Sequence, residues 1–92
     1  MSVLKSGVFT YQLQDETLII TESMGVRMVS IFNGTNVNGA YTGDQSLSGF
    51  EPRPIDIEEG ETATVVAIEA SVIKGLKIGA PRGCILKVIA IV

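Results

Sequence analysis

The chain has 92 residues, ten acidic and seven basic, for a net charge of -3, with one cysteine and no histidine. That length suits one domain with a modest core, since a chain of this size buries only about 60–65% of its unfolded surface. The balance excludes several classes: no basic cluster for a nucleic-acid backbone, no cysteine pair for a disulfide or thiolate metal site, and no run of ~20 apolar residues for a membrane span.

Hydrophobic residues make up 46% of the sequence and charged ones 18%, below the usual ~25%, and mean hydropathy is +0.38. A small soluble monomer does not need so much apolar surface, so burial against a partner is expected. The segment Met1-Ser2-Val3-Leu4-Lys5-Ser6-Gly7 has no apolar core of the signal-peptide kind. We expect synthesis in a cytoplasm, and residues 1–6 as a flexible arm.

Phe9, Tyr11 and Leu13 alternate with Thr10, Gln12 and Gln14, the period-two mark of a half-buried strand. A turn at Asp15-Glu16 and a second strand from Thr17 to Glu22 then read as a hairpin. Ser23-Met24-Gly25 turns the chain into a third strand, Val26–Phe32, with Val26, Met28 and Phe32 on one face and Arg27, Val29 and Ile31 on the other. Asn33-Gly34 carries a strong two-residue hairpin signal, because both residue types tolerate positive φ.

The stretch from Thr35 to Ser48 is polar and punctuated by glycine, and predicts short strands near Val37–Tyr41 and Ser46–Phe50. Pro52 and Pro54 bias their neighbours to extended geometry, and Ile55-Asp56-Ile57 reads as an edge strand. After the charged turn Glu58–Glu61, Thr62–Glu69 predicts a strand. A short helix over Glu61–Lys74 also fits, on Ala63, Val66, Ala67, Ala70 and Ile73, but six β-branched residues between Thr62 and Val72 favour the strand. Val72–Ile78 follows with a bulge at Gly75, then a last turn at Gly79–Gly83.

The closing segment Cys84–Val92 is the most apolar of all, with Lys87 its one charge. Cys84, Leu86, Val88, Ala90 and Val92 share one face, and Ile85, Ile89 and Ile91 share the other. A strand apolar on both sides needs two covers. The chain readily supplies one, and a second copy or a partner is expected to supply the other. The total is about eight short strands without a long helix, an all-β single-domain β-sandwich of jelly-roll-like form over residues 1–92.

No catalytic constellation appears. The absence of histidine removes the commonest general base, Cys84 has no partner to activate it, and no Gly-x-Ser-x-Gly, phosphate-binding or dinucleotide motif occurs. The expectation is not an enzyme, and no cofactor. The acidic turn Asp56–Glu61 offers oxygen ligands to a hard cation without the spacing of a calcium loop, and a solvated hairpin tip is the simpler reading. Asn36, Asn38, Gln45 and Tyr41 are the candidate ligand residues of the polar loop. Tyr11 and Phe50 are expected in the core. Arg53, between two prolines, and Arg82, between Pro81 and Gly83, are candidates for gripping a partner carboxylate. Ile85, Ile89 and Ile91 are the candidate interface.

The series Ser30-Ile31-Phe32-Asn33-Gly34-Thr35, Gly39-Ala40-Tyr41-Thr42-Gly43, Ile57–Val65 and Ile78–Ala90 resembles small all-β virion structural proteins of tailed bacteriophages, of the capsid-decorating and fibre-associated type. The likeness spans residues 26–92 and lies in the Asn-Gly-Thr turn, the acidic glycine turn into a Thr/Val strand, and Pro-x-Gly-Cys leading to an apolar strand. It implies a protein of the virion, commonly a trimer or other symmetric homo-oligomer, bound to virion proteins such as the major capsid protein. It supplies no active-site residues. The alternative is a stand-alone module that binds glycan or peptide through Asn33–Ser48, and a small assembly adaptor is a third reading.

Overall fold

The computed structural model describes residues 7–50, 52–69 and 71–92. The arm expected at residues 1–6 lies outside them. Six strands form one antiparallel sheet: β1 Val8–Ile20, β2 Met28–Asn33, β3 Gly39–Thr42, β4 Ile55–Ile57, β5 Thr62–Val66 and β6 Leu76–Ile91. The chain is all-β, and its one helical piece among the described residues is a 3-10 turn, Glu22–Met24, closed by Gly25 at φ 68°.

β6 is the axis of the sheet. Along one edge it pairs with β1 over nearly its whole length, and along the other it pairs first with β3 and then with β2. β4 adds to β3, and β5 adds to β2. The long β1–β6 ribbon is bent where Gln14 pairs with Ile85 but Glu16 already pairs with Ala80, leaving Asp15 opposite Pro81 to Cys84. Asp15 takes φ 56° and Gly83 φ 87° at this corner, the positive values an irregular bulge demands.

The bend divides the sheet into two halves that curl over one core. Val29, Ile31, Leu86, Val88 and Ala90 come from one half, and Ile20, Ile57, Leu76 and Ile78 from the other, all inaccessible or nearly so. The halves touch directly at Leu86 and Gly39, where a Cβ built on the glycine would lie 2.8 Å from Leu86 Cδ1. Only glycine lets these layers close to that distance. The result is a single antiparallel sheet curled over its own core, 19 Å in its shortest dimension.

Asn33 locks the halves together. Its side chain is fully buried and donates from Nδ2 to the carbonyls of Val37 (2.9 Å) and Ile57 (2.8 Å). Its Oδ1 accepts from the Thr35 N–H at 2.8 Å and the Thr35 hydroxyl at 2.6 Å. Thr35 Oγ1 in turn accepts from the Ile85 N–H at 3.3 Å. Every donor and acceptor site on the amide is used, which is what makes its burial tolerable.

Several sequence expectations change. Asp15-Glu16 does not turn a hairpin, because β1 runs on through the bulge and both its halves pair with β6. Gly79–Gly83 is likewise a corner inside β6 and not a turn. Asn33-Gly34 closes no hairpin either. β2 pairs with β5 and β6, never with β3, and the asparagine is spent on side-chain bonds. Ser46–Phe50 forms no strand, only a bridge from Leu47 to Ala67, and Phe50 is exposed rather than in the core. Over 61–74 the described residues form no helix, but strand only at Thr62–Val66, short of Glu69, and the strand expected from Val72 begins at Leu76, as the start of β6. These merged or missing elements give six strands where about eight were expected.

Candidate interaction surface

Paired residues of an antiparallel sheet share a face, so the register assigns every side chain of the β1–β6–β2–β5 half. The inner rows read Phe9, Ala90, Val29, Val65 and then Tyr11, Val88, Ile31, Ala63. The outer rows read Val8, Ile91, Met28, Val66, then Thr10, Ile89, Ser30, Thr64, then Gln12, Lys87, Phe32, Thr62. Gln14 and Ile85 extend this outer face towards the bend.

The first outer row is wholly apolar across four strands. Val8 is 50% exposed, Val66 43% and Ile89 42%, while Ile85, Ile91 and Met28 are half-buried. Within these paired rows Lys87 is the one charge and no carboxylate stands, although the chain carries ten, and exposed Arg27 adjoins the first row, its main-chain N–H donating to the Ile91 carbonyl at 2.7 Å. Apolar contact here meets almost no cost of stripping water from ions. The structure thus brings Ile85, Ile89 and Ile91 onto one open face. Their opposite numbers Cys84, Leu86, Val88 and Ala90 are fully buried, but Val92, expected on the same face, lies past the end of β6 and is exposed.

Val8, Met28 and Val66 complete this surface and were not singled out from the sequence. Their hydrophobic character was visible, but their alignment depends on which strands pair and in what register. Arg53 and Arg82 are exposed, the first in the bend before β4 and the second at the corner of β6. Neither belongs to the four-strand face just described.

The polar loop residues do not form one site. Asn36 and Asn38 are exposed, and Asn38 opens onto a shallow groove of about 460 Å³ edged by Asp15, Glu16 and Asp56. Tyr41, paired with buried Ile78, packs against the core on the inner face. Gln45 is exposed, but Ser46 beside it is buried: its hydroxyl donates to Asp44 Oδ1 at 2.5 Å and accepts from the Lys74 N–H at 3.1 Å. The segment is therefore held in place by its own bonds.

In the acidic turn, Glu61 Oε1 accepts from the Glu58 N–H at 2.7 Å. Among the described residues, no three carboxylate or thiol groups converge in a way that could hold a metal ion. None of the described helical residues forms a helix long and apolar enough to cross a membrane. The chain matches no protein-family model, no curated protein and no solved structure.

Proposed function

We propose that this chain is a non-enzymatic structural component of a virion, of the tailed-phage type its sequence resembles. In this reading it decorates or stabilises a capsid, or attaches its fibres, by associating with its own kind and with the shell. The observation that carries the reading is the outer face of β1, β6, β2 and β5. It presents an apolar row four strands wide and a single lysine, above a core already filled from the other side. Exposed apolar patches of this kind mark protein contact surfaces.

We read the curled sheet as a jelly-roll-like sandwich, a form whose four-strand outer face is left for the contact. Ile85, Ile89 and Ile91 supply the contact, and Arg53 and Arg82 stand outside it as rim groups. The virion is then the site of action, reached after synthesis in the host cytoplasm, with capsid protein as the partner.

Two measurements test this. Light scattering after size exclusion at about 50 µM should give a defined oligomer, and a sharp 9.8 kDa monomer would overturn the reading. Mass spectrometry of particles purified from an induced source culture should find the chain in the particle fraction. Its confinement to the particle-free supernatant would equally overturn it.

A further inference from the structure

The sheet has three edges, and two of them are protected. β4 is three residues long and follows Pro52 and Pro54, a short proline-flanked edge that offers little to a second chain. β5 is covered at its end by the 46–48 segment, where the Ser48 N–H donates to the Val66 carbonyl at 2.9 Å and the Ile68 N–H to the Ser46 carbonyl at 2.8 Å. β1 is different. It runs for 13 residues and, among the described residues, pairs only with β6.

The main-chain bonds of β1 alternate in a fixed phase along that free edge. The Val92 N–H donates to the Gly7 carbonyl at 3.0 Å, and in an antiparallel ladder such bonding recurs at every second residue. The main-chain groups of Phe9, Tyr11 and Leu13 therefore point to β6. Those of Val8, Thr10, Gln12 and Gln14 point outward, and among the described residues no strand meets them. The stretch Val8-Phe9-Thr10-Tyr11-Gln12-Leu13-Gln14 holds no charge, proline or glycine, so it has none of the usual devices that discourage pairing. Charge begins only at the bulge, with Asp15 and Glu16. On the inner side, Phe9 is 42% exposed and Tyr11 half-buried, so the core is open along this edge.

We infer that the free edge of β1 pairs antiparallel with the same edge of a second copy, about a two-fold axis at Tyr11. That register sets Val8 against Gln14 and Thr10 against Gln12 in hydrogen-bonded pairs, with Phe9 against Leu13 and Tyr11 against Tyr11 between them. All four outward positions are used, no like charges oppose, and the two bulges fall outside the paired stretch. The inner-face pairs close the core over Phe9 and Tyr11. The segment is its own complement, which is why a second copy is the occupant, and an isologous two-fold contact is the commonest closed symmetry.

A two-fold perpendicular to the sheet leaves both outer faces on the same side. One face has a footprint of roughly 450 Å² from strand spacing and rise, short of the about 800 Å² per partner of a stable interface. Two joined edge to edge reach that size. The inference thus rests on the assembly reading and specifies its first step: pairing makes a surface wide enough for a shell.

Hydrogen exchange on the unaltered chain, with light scattering, tests it. In the assembled protein the amides of Thr10, Gln12 and Gln14 are expected to exchange at least roughly ten-fold more slowly than in the dissociated chain. The oligomer should contain an even number of chains. The variant Gln12→Pro removes an outward N–H and no bond to β6, so it should keep the far-UV spectrum while losing the pairing and halving the oligomer mass. An assembled protein whose Thr10, Gln12 and Gln14 amides exchange freely overturns the edge pairing but leaves the assembly reading standing. An oligomer mass unchanged in folded Gln12→Pro has the same meaning. A monomeric unaltered chain overturns both. If Gln12→Pro does not fold, the exchange pattern of the unaltered chain decides.

Discussion

Asn33 donates a 2.8 Å hydrogen bond from its side chain to the main-chain carbonyl of Ile57, joining the end of β2 to the end of β4 across the fold. The same amide serves Val37 and Thr35, so its loss strands several buried polar groups at once. Asn33→Ala is expected to cost about 2–4 kcal/mol, a fall of at least ~10 °C in the thermal midpoint for a domain of this size. Urea and thermal unfolding measure it. Asn33→Asp keeps the acceptor but not the donors and should be no better tolerated.

Val88 and Ile89 are sequence neighbours on opposite faces, the first fully buried and the second 42% exposed. Val88→Ala should lower unfolding stability by about 2 kcal/mol through the cavity it leaves. Ile89→Asp should change the stability of the dissociated chain by no more than about 1 kcal/mol, yet abolish assembly by placing a carboxylate in an apolar contact. Light scattering and urea titration of the pair separate the two roles.

Asp15 holds φ 56° at the bulge, a conformation that strains residues bearing a Cβ. Asp15→Gly is therefore expected to raise stability by about 0.5 kcal/mol, the relief being partly offset by the greater freedom of glycine when unfolded. A lower urea midpoint for the glycine variant would contradict this account of the corner.

Gly39 meets Leu86 where the halves close, and an added Cβ would sit 2.8 Å from Cδ1 and 2.9 Å from Cδ2. Gly39→Ala should cost about 1–3 kcal/mol as overpacking. Adding Leu86→Val should recover part of the loss attributable to the glycine change, a non-additivity that a double-mutant cycle reads directly.

Ser46 links its loop to the chain entering β6, accepting from the Lys74 N–H and donating to the Asp44 carboxylate. Ser46→Ala should cost about 1–2 kcal/mol and speed exchange at the Lys74 amide more than at amides within β2. Equal acceleration throughout would mean that the loop opens only when the whole domain unfolds.

Alternation along the chain placed the faces within the paired strands, where Cys84, Leu86, Val88 and Ala90 lie on one side and Val29 and Ile31 lie inside. It failed at the strand ends: Val92 is exposed, Val26 is buried although its spacing set it with Met28 and Phe32, and Arg27 is exposed although it was set with Val29 and Ile31. The edge strand Ile55–Ile57 and the turn before β5 were equally legible. Connectivity was not. Asp15-Glu16 and Gly79–Gly83 carry residues that suit a turn and a bulge alike, and only pairing between residues some 70 positions apart distinguishes the two. Asn33 was read through its backbone tolerance, while its actual contribution is an amide aimed at a carbonyl 24 residues away. The interaction face was partly visible for the same reason: three isoleucines declared it locally, but Val8, Met28 and Val66 join it only through register.

The placement of β6 has a consequence for how the protein is made. It is the sixth strand in chain order, yet β1, β2 and β3 all hydrogen-bond to it, so of the sheet's pairings only β2–β5 and β3–β4 can form before it leaves the ribosome. Pairings over such sequence distances form slowly, and meanwhile the nascent chain displays the sticky edge of β1 alongside an unfilled core. Wild-type yield should accordingly depend on how quickly translation completes residues 76–91, and slow codons just before that stretch should divert chains into aggregates.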